Sequence, residues 1–336
     1  MARKADTALA VVPENKEVVL DERGSQLELL FDSPLIGKIK NDRTLMVWSF
    51  FALDRKKVDS MTYDDGRTRI AVTGLQYGIA NMWDKEILIY LISIMQDKIN
   101  RGEAVGPTMT FTAADLFRVI GREAGGSAYD RLEESLKRLK NTSIETNIET
   151  GGEGESGGFS WLSEYKLRYR RNSAGDKVLR GVEVTLCNWL YRAVTLDKKI
   201  LTYHAKYFEL GPLEKRLYEM ARAHCGQQAG IRMNLEKLRL RVGFTDELKQ
   251  FKYKLTQIAK KRMPLPEFGF MLVDPRDPKR FGVMSDPALP KPRGRTPLKA
   301  YQVFFFRTDN LARMPTPFQV PDVDGEGGEL LYDEAS

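Results

Sequence analysis

The sequence predicts an α+β protein in which one small unit of helices and strands occurs twice. Residues 125–148, GGSAYDRLEESLKRLKNTSIETNI, join two glycines to an amphipathic helical stretch and then to an alternating, strand-like stretch. Residues 245–270, TDELKQFKYKLTQIAKKRMPLPEFGF, have a similar rhythm. In both stretches apolar side chains recur at i, i+3, i+7 and i+10, which places them on one face of an α-helix. We therefore expect two similar units in tandem.

The first unit begins with a helix that Asp84 can cap and that carries a broad apolar face up to Met95. A second helix, AADLFRVI over 113–120, stops at Gly121. The third helix has a predicted inward face made of Tyr129, Leu132, Leu136 and Leu139. Strand-forming residues in alternation then predict a β-meander over 142–148, 159–171 and 177–187, with the glycine-rich loop 151–158 at its tip. Upstream, residues 41–73 are expected to be strand-like, with WSFFALD and RTRIAVT.

The second unit repeats this order. Pro212 opens a helix and Gly226 closes it. Residues 231–242 supply a short strand and a second helix, and Thr245 or Asp246 caps the third helix. Its inward face is Leu248, Phe251, Leu255 and Ile258, and the strands FGFMLV and YQVFFF follow on either side of a long basic loop. Helix, helix, turn, helix and ribbon is the order of a winged helix, whose third helix is shaped to enter a DNA major groove.

These patterns divide the chain into four predicted parts. Residues 1–40 are expected to be a flexible N-terminal arm, and 41–200 and 201–312 to be two winged-helix domains. Residues 313–336 are expected to be an acidic, disordered tail, because 322–336 carry six acidic groups and no basic one. The chain as a whole still has a formal net charge of +7. A basic body indicates a polyanionic partner, most often nucleic acid.

The third helix of the second unit is the predicted DNA reader. Lysine neutralises phosphates or meets guanine acceptors, glutamine pairs with adenine, and the threonine methyl meets that of thymine. The basic loop is expected to lie in a minor groove like an arm. The alternatives are a solvated helix rich in lysine and a basic loop with no ordered partner. The predicted contacts are, on the helix, Lys249, Lys252, Tyr253, Thr256, Gln257, Lys260 and Lys261, and, in the loop, Lys279, Arg280, Lys291, Arg293 and Arg295.

The third helix of the first unit has a mixed outward face. Glu134 would repel a phosphate, so this helix is not an equal base reader. We predict phosphate contacts through Arg122, Arg131 and Arg138, and a self-association surface formed largely by residues 142–186. Monomer and dimer are both expected forms.

Three stretches carry a family resemblance: WDKEILIYLIS over 83–93, residues 125–148, and YFELGPLEKRLYEMARAHCG over 207–226. The chain resembles the plasmid replication initiator protein A family from about residue 40 to 270. The resemblance implies a bacterial protein that binds repeated origin sites in double-stranded DNA and helps to open an adjacent AT-rich segment. It further implies recruitment of the host initiator ATPase and the replicative helicase.

No catalytic, metal or cofactor constellation is predicted. The two histidines, His204 and His224, are too far apart for a paired His-x-His, and no phosphate-binding lysine loop occurs. The acidic pair Asp64-Asp65 is read as a turn between strands. The longest apolar run, 86–95, is too short for a membrane span of about 18 residues. We expect a cytoplasmic, plasmid-associated, non-enzymatic origin binder, and the alternative is a site-specific repressor or partition adaptor.

Overall fold

The computed structural model describes residues 16–20, 26–54, 56–154, 157–173, 175–226, 228–261, 263–274, 276, 294–309 and 322–324. Eight α-helices are seen in this part of the chain: α1 Arg43–Val47, α2 Lys85–Asn100, α3 Ala113–Val119, α4 Gly126–Asn141, α5 Asn188–Arg192, α6 Pro212–Cys225, α7 Leu235–Arg241 and α8 Leu248–Ala259. Its strands are β1 Lys16–Leu20, β2 Gln26–Leu30, β3 Lys40–Asp42, β4 Ser60–Asp64, β5 Arg69–Gly74, β6 Thr108–Phe111, β7 Thr142–Thr146, β8 Leu162–Arg171, β9 Lys177–Leu186, β10 Ile200–Thr202, β11 Gly230–Asn234, β12 Phe268–Val273 and β13 Gln302–Arg307.

One topology occurs twice in this mixed α/β structure. The first unit runs α2, β6, α3, α4, β8, β9, and the second runs α6, β11, α7, α8, β12, β13. The two antiparallel sheets have corresponding strand orders, β6-β9-β8 and β11-β13-β12. Both units are therefore winged-helix-like, with the third strand of each unit in the middle of its sheet.

The first core lies between α2, α4 and the sheet β6-β9-β8. On α4 the predicted inward residues Leu132, Leu136 and Leu139 are buried, whereas Tyr129 is 37% exposed. Helix α2 is buried on all sides from Lys85 to Met95. A helix surrounded in this way has neighbours on more than one face, and the second unit supplies one of them.

The second core is built around α6, α7 and α8. Phe251 and Leu255 are fully buried on α8, and Leu248 and Ile258 are partly buried against the same cluster. Ile89 of α2 belongs to this second cluster although it lies in the first unit. The two cores therefore meet at α2.

A buried ionic cluster joins the two units where α2 faces α6. Lys85 Nζ lies 2.7 Å from Glu219 Oε1, and both side chains are fully buried. The hydroxyls of Tyr203 and Tyr207 donate to the same Glu219 oxygen over 2.8 and 2.7 Å. Arg216 forms an ion pair with the other oxygen of Glu219. Four donors from two units thus surround one carboxylate.

A second part of the cluster is centred on Glu86. Its carboxylate pairs with Lys215 of α6 and with Arg122, which follows α3. Burial lowers the pKa of Lys85 to about 8. Although burial opposes ionisation of Glu219, the charges of Lys85 and Arg216 hold the pKa of its carboxyl below the usual value. At neutral pH both Lys85 and Glu219 are therefore charged.

Residues 31–40 were expected in a flexible arm, and this expectation is wrong. The backbone N–H of Asp32 donates to the carbonyl of Thr110 over 2.7 Å, and Leu35 is buried in the first core. The Leu35 N–H donates to Asp115, whose carboxylate also accepts from Tyr90. The segment is fixed because it satisfies polar groups of α3 and strand β6.

The strand expectation for 41–73 holds for RTRIAVT but is wrong for WSFFALD. Asp42 accepts hydrogen bonds from the N–H groups of Thr44 and Leu45 and so starts α1. Phe50 and Phe51 then enter the first core against Trp161, with ring centroids 5.4 and 5.0 Å away. Aromatic packing rather than strand pairing decides this stretch.

The ribbon of the first unit also differs from the expectation. Strand β7 pairs with β5, in a separate sheet of order β4-β5-β7, and not with the wing strands β8 and β9. The tip of the wing is the turn after Arg171, in which Asn172 Oδ1 accepts from the Asp176 N–H over 2.8 Å. The glycine-rich loop 151–158 instead joins β7 to β8.

The expected disorder of 313–336 does not extend to Asp322, Val323 and Asp324. Val323 is buried in the second core, and its N–H donates to the carbonyl of Arg232 over 3.0 Å. Residues 310–321 and 325–336 lie outside the described part of the chain. Within the described residues, none of the helices is both long and apolar enough to cross a membrane.

Replacing Lys85 by methionine should lower the free energy of unfolding by about 3–5 kcal/mol, because Glu219 would remain as a buried charge without its ammonium partner. The exposed pair of Lys166 with Glu183 is the matched control, and Lys166→Met should leave the free energy of unfolding nearly unchanged because solvent screens an exposed pair. Urea unfolding followed by circular dichroism measures both. Equal effects of the two substitutions would contradict this account of the cluster.

His224 makes stability depend on pH. Its imidazole is buried and its Nδ1–H donates to the carbonyl of Met220 over 2.8 Å, and burial lowers its pKa from 6.5 to about 3. Below pH 6.5 the unfolded chain binds a proton at His224 that the folded chain does not bind until about pH 3. His224 therefore leaves the free energy of unfolding unchanged above pH 6.5 and lowers it as the pH falls below that value. From pH 7 to 5 the loss should be about 2 kcal/mol.

The variant His224→Gln isolates this contribution, since every other titrating group remains. Its unfolding free energy should decrease less than that of the wild type between pH 7 and 5. Parallel pH dependences of the two proteins would show that His224 is not kept neutral by the fold.

Candidate nucleic-acid interface

The outer face of α8 is the most exposed feature of the second unit's helix pair. Phe251 and Leu255 anchor the helix from below, and the ring of Phe244 lies 5.1 Å from that of Phe251. On the opposite side Tyr253 is 61% exposed, and Lys249, Gln257 and Lys260 are exposed beside it. Four of the seven predicted contacts on α8 and at its C-terminal end therefore form one accessible, basic and aromatic face.

The other three predicted contacts are each paired with another group of the protein. Lys252 Nζ lies 3.2 Å from the ring centroid of Tyr301, and Thr256 donates its hydroxyl to the carbonyl of Lys252 over 2.8 Å. Lys261 forms an ion pair with Glu214 at the start of α6. These residues fix the position of α8 relative to α6 and to the base of the loop before β13.

The long basic loop, which would be the wing of the second unit in the predicted winged helix, joins β12 to β13 along the chain. Lys279, Arg280, Lys291 and Arg293 lie outside the described residues, whereas Arg295 is described and exposed. The base of the loop is ordered because Asp274 accepts from the Thr296 hydroxyl over 2.7 Å and from the Arg276 N–H over 3.0 Å.

That base is also attached to the helix before α8. Lys299 pairs with Glu236 of α7 at 3.1 Å. Together with the contact of Lys252 on Tyr301, this pair brings the C-terminal end of the loop beside α7 and α8. That end of the loop and the exposed face of α8 are therefore held together.

In the first unit, the structure gives Arg122 and Arg138 a role other than the predicted phosphate contacts. Arg138 donates to Asp84 twice, over 2.8 and 2.9 Å, and Asp84 is fully buried. This hydrogen-bonded pair raises the pKa of Arg138. Arg122 pairs with the buried Glu86. Both guanidinium groups neutralise interior carboxylates, which have no access to water, and of the three predicted arginines Arg131 alone is exposed.

The wing of the first unit was predicted as part of a self-association surface but not as a DNA-contact site. Arg170 and Arg171 are exposed at the end of β8, next to the turn that leads to β9, and Lys177 is exposed at the start of β9. By contrast, Arg168 and Lys166 are paired with Glu183. The alternation in KLRYRR was the available signal, but it could be used only once β8 and β9 were known to form a hairpin.

Among the described residues no group of three or more His, Cys, Asp or Glu side chains could hold a metal ion. The acidic pair Asp64-Asp65 forms the turn between β4 and β5, with the Gly66 N–H donating to Asp64 over 2.9 Å, as the sequence predicted. Both cysteines are buried, and burial raises the pKa of the Cys225 thiol to about 12.

Two winged-helix-like units, of which the second has an exposed and basic third helix, define the structural class of this protein. The family model of Replication initiator protein A matches residues 40–270. The chain belongs to that family.

Two further comparisons agree with the family and the fold. A protein of Wigglesworthia glossinidia brevipalpis that carries the name of a replication protein is 32% identical over 260 residues, which is 76% of this chain and 93% of the relative. The crystal structure of domains 2 and 3 of RctB aligns with a TM-score of 0.50 at 14% identity. It covers 76% of this chain and 94% of that one, and at this identity the likeness concerns the fold alone.

Substitutions of Arg138 and Arg131, both on α4, should distinguish an arginine that stabilises the fold from one that is free to contact DNA. Replacing Arg138 by glutamine leaves the buried Asp84 without its guanidinium and should lower the unfolding free energy by about 3 kcal/mol. The matched control Arg131→Gln, on the exposed side of the same helix, should change it by no more than about 0.5 kcal/mol. Thermal and urea unfolding measure both, and a stable Arg138→Gln protein would contradict the structural role.

Proposed function

We propose that this protein is a plasmid replication initiator that binds repeated origin sequences, or iterons, in double-stranded DNA through two tandem winged helices. The observation that carries the proposal is the exposed face of α8 beside the described base of the long basic loop. Family membership supports the link to replication initiation. The readout, the opening of the origin and the recruitment of host proteins are the parts that we propose.

The second unit acts as the principal reader. In helix-turn-helix proteins the second helix of the motif enters the major groove and the first crosses the backbone, and α8 and α7 correspond to these two. Gln257 offers a bidentate amide suited to adenine, and Lys249 and Lys260 offer charges for phosphates or guanine. The wing, with Arg295 at its described end, would follow the backbone into the neighbouring minor groove.

The first unit acts mainly on the backbone. Arg131 on α4 and Arg170 and Arg171 on β8 are exposed charges suited to phosphates, which give affinity without base information. Because the cluster of Lys85, Glu219 and their partners joins the two units, they would approach one DNA site together. A fixed pair of modules is suited to a long, repeated site rather than to a single short operator.

Self-association is proposed at the wing of the first unit. Strand β8 is at the edge of its sheet, and Tyr169 and Val178 on the wing are 44% and 37% exposed. Strand β7, although within the predicted range 142–186, belongs to another sheet. Sedimentation of the full chain over a range of concentrations tests this. Tyr169→Lys should weaken a dimer, whereas the control Leu240→Lys, on α7, should leave it unchanged.

Initiation requires more than occupancy of a site. We propose that binding opens an adjacent AT-rich segment and that the host initiator ATPase and replicative helicase are then loaded, with no catalytic step in this chain. The alternative, a repressor or partition adaptor, would bind the same DNA and leave it closed. The two differ in permanganate reactivity of thymines beside the bound repeats.

With supercoiled origin plasmid, addition of the protein should make those thymines reactive to permanganate. A plasmid that lacks the repeats is the control and should remain unreactive. Protection of the repeats without any permanganate reactivity, in the presence of the host ATPase as well, would favour the repressor alternative.

Alanine substitutions on α8 should distinguish base contacts from phosphate contacts. Gln257→Ala should relax preference at one or two base pairs by about 1–3 kcal/mol, because an adenine would lose its amide partner. Lys260→Ala should weaken binding to all sequences similarly and reduce the salt dependence by about one phosphate. Gln96→Ala, on α2, is the matched control.

Binding measured by fluorescence anisotropy on a panel of single-base variants of one repeat gives these values. Unchanged specificity for Gln257→Ala, and equally for Lys249→Ala and Tyr253→Ala, would exclude α8 as the base reader.

A further inference from the structure

A short acidic segment of the chain lies on the second unit beside the proposed DNA-binding face. Residues 322–324 run along the outer edge of β11, where Asp322 forms a parallel bridge with Arg232. Val323 anchors the segment because its side chain is buried in the second core. The two aspartates on either side of Val323 are thereby held against β11 and α7, with the Asp322 side chain 26% exposed and that of Asp324 only 6%.

The charges opposite these aspartates are all basic. Asp322 Oδ2 lies 3.4 Å from Arg232 Nε. Asp324 Oδ1 lies 3.9 Å from both Lys237 Nζ and Arg241 Nη2 of α7. Two carboxylates of the chain therefore partly neutralise three basic side chains on the first helix of the helix-turn-helix and on the strand before it.

The position of these basic groups is the reason to connect them with DNA. In a helix-turn-helix the first helix, to which α7 corresponds, crosses the DNA backbone and brings its side chains to the phosphates. Lysine and arginine are the usual partners of those phosphates. Lys237 is 56% exposed in its side chain even with the segment in place. A carboxylate and a phosphate oxygen offer the same kind of acceptor to these groups.

We propose that Arg232, Lys237 and Arg241 form a binding site for DNA phosphates, and that Asp322 and Asp324 of the same chain occupy this site when DNA is absent. The acidic segment then competes with the DNA backbone and lowers affinity for duplexes that lack good base contacts. This inference rests on the proposed DNA binding by the second unit, and it adds a phosphate site and its internal competitor.

The contacts are suited to exchange. The ion pairs of Lys237 and Arg241 with Asp324 are long, at 3.9 Å, and a pair with a half-exposed lysine contributes little to stability. The shorter contact, 2.6 Å from the Asn234 N–H to Asp324 Oδ2, is one hydrogen bond. A DNA phosphodiester, which carries one negative charge as a carboxylate does, offers the same kind of acceptor oxygen and can replace these acceptors, while Val323 keeps the segment nearby.

The test uses the full chain with Asp322→Asn and Asp324→Asn together. A matched control, Asp333→Asn with Glu334→Gln, removes the same two charges from the acidic end without touching 322–324. Binding to an origin repeat and to an unrelated duplex is measured by anisotropy across a salt series. Melting followed by circular dichroism confirms that each protein is folded.

The variant with Asp322→Asn and Asp324→Asn should bind the unrelated duplex about 5–10-fold more tightly than the wild type does. The control variant should differ from the wild type by less than about twofold. The salt dependence of the Asp322→Asn, Asp324→Asn variant should be steeper by about one to two phosphates, because DNA would displace salt ions instead of the chain's own carboxylates. Equal affinities and slopes of the variant and the control would overturn the proposal.

A second comparison shows whether the segment and DNA share Lys237. Lys237→Gln should weaken DNA binding several-fold in the Asp322→Asn, Asp324→Asn background and less in the wild-type background. Equal effects in both backgrounds would overturn the shared site. If the double variant does not fold, Asp322→Asn alone replaces it in the same cycle. A wild-type protein that binds no duplex even at low salt would instead overturn the proposed function itself.

Discussion

The structure depends on the neutralisation of three interior carboxylates at the start of α2 and in α6. Asp84, Glu86 and Glu219 are all buried, and a carboxylate without water is unfavourable unless cations and hydrogen-bond donors surround it. The partners come from distant parts of the chain: Arg138 from α4, Arg122 from after α3, and Lys85 and Lys215 from opposite units. The cluster therefore closes the first core and joins the units in one set of contacts.

This constraint also decides which basic residues remain for a polyanion. Arg122 and Arg138 belong to the interior carboxylates, and Lys261 pairs with Glu214. Exposed basic side chains remain, among other places, on the face of α8, at the base of the loop between β12 and β13, and at the end of β8. A net positive charge spread along the sequence becomes a small number of directed basic surfaces only after the acidic partners are assigned.

The two units are alike in topology and different in surface. Each has a third helix with a buried apolar stripe, but α4 carries Glu134 and Asp130 among its outward side chains, whereas α8 carries Lys249, Tyr253 and Gln257. The second unit also has the longer wing, and the chain returns to it through Val323. One fold thus carries two different outer surfaces, to which we assign, as a proposal, base reading in the second unit and backbone contact and self-association in the first.

The sequence by itself determined the repeated order of helices and strands, because local periodicity and helix-terminating glycines are encoded within a few residues. It also indicated the exposed part of α8, since the inward residues of a helix define its outward ones. It could not decide the partners of Arg122 and Arg138, the pairing of β7 with β5, or the burial of Leu35 and Val323. Those outcomes depend on residues tens to more than a hundred positions apart, which only the tertiary structure brings together. A helical wheel shows only that a basic side chain points outward from its own helix, and not that it pairs with a buried carboxylate of another helix.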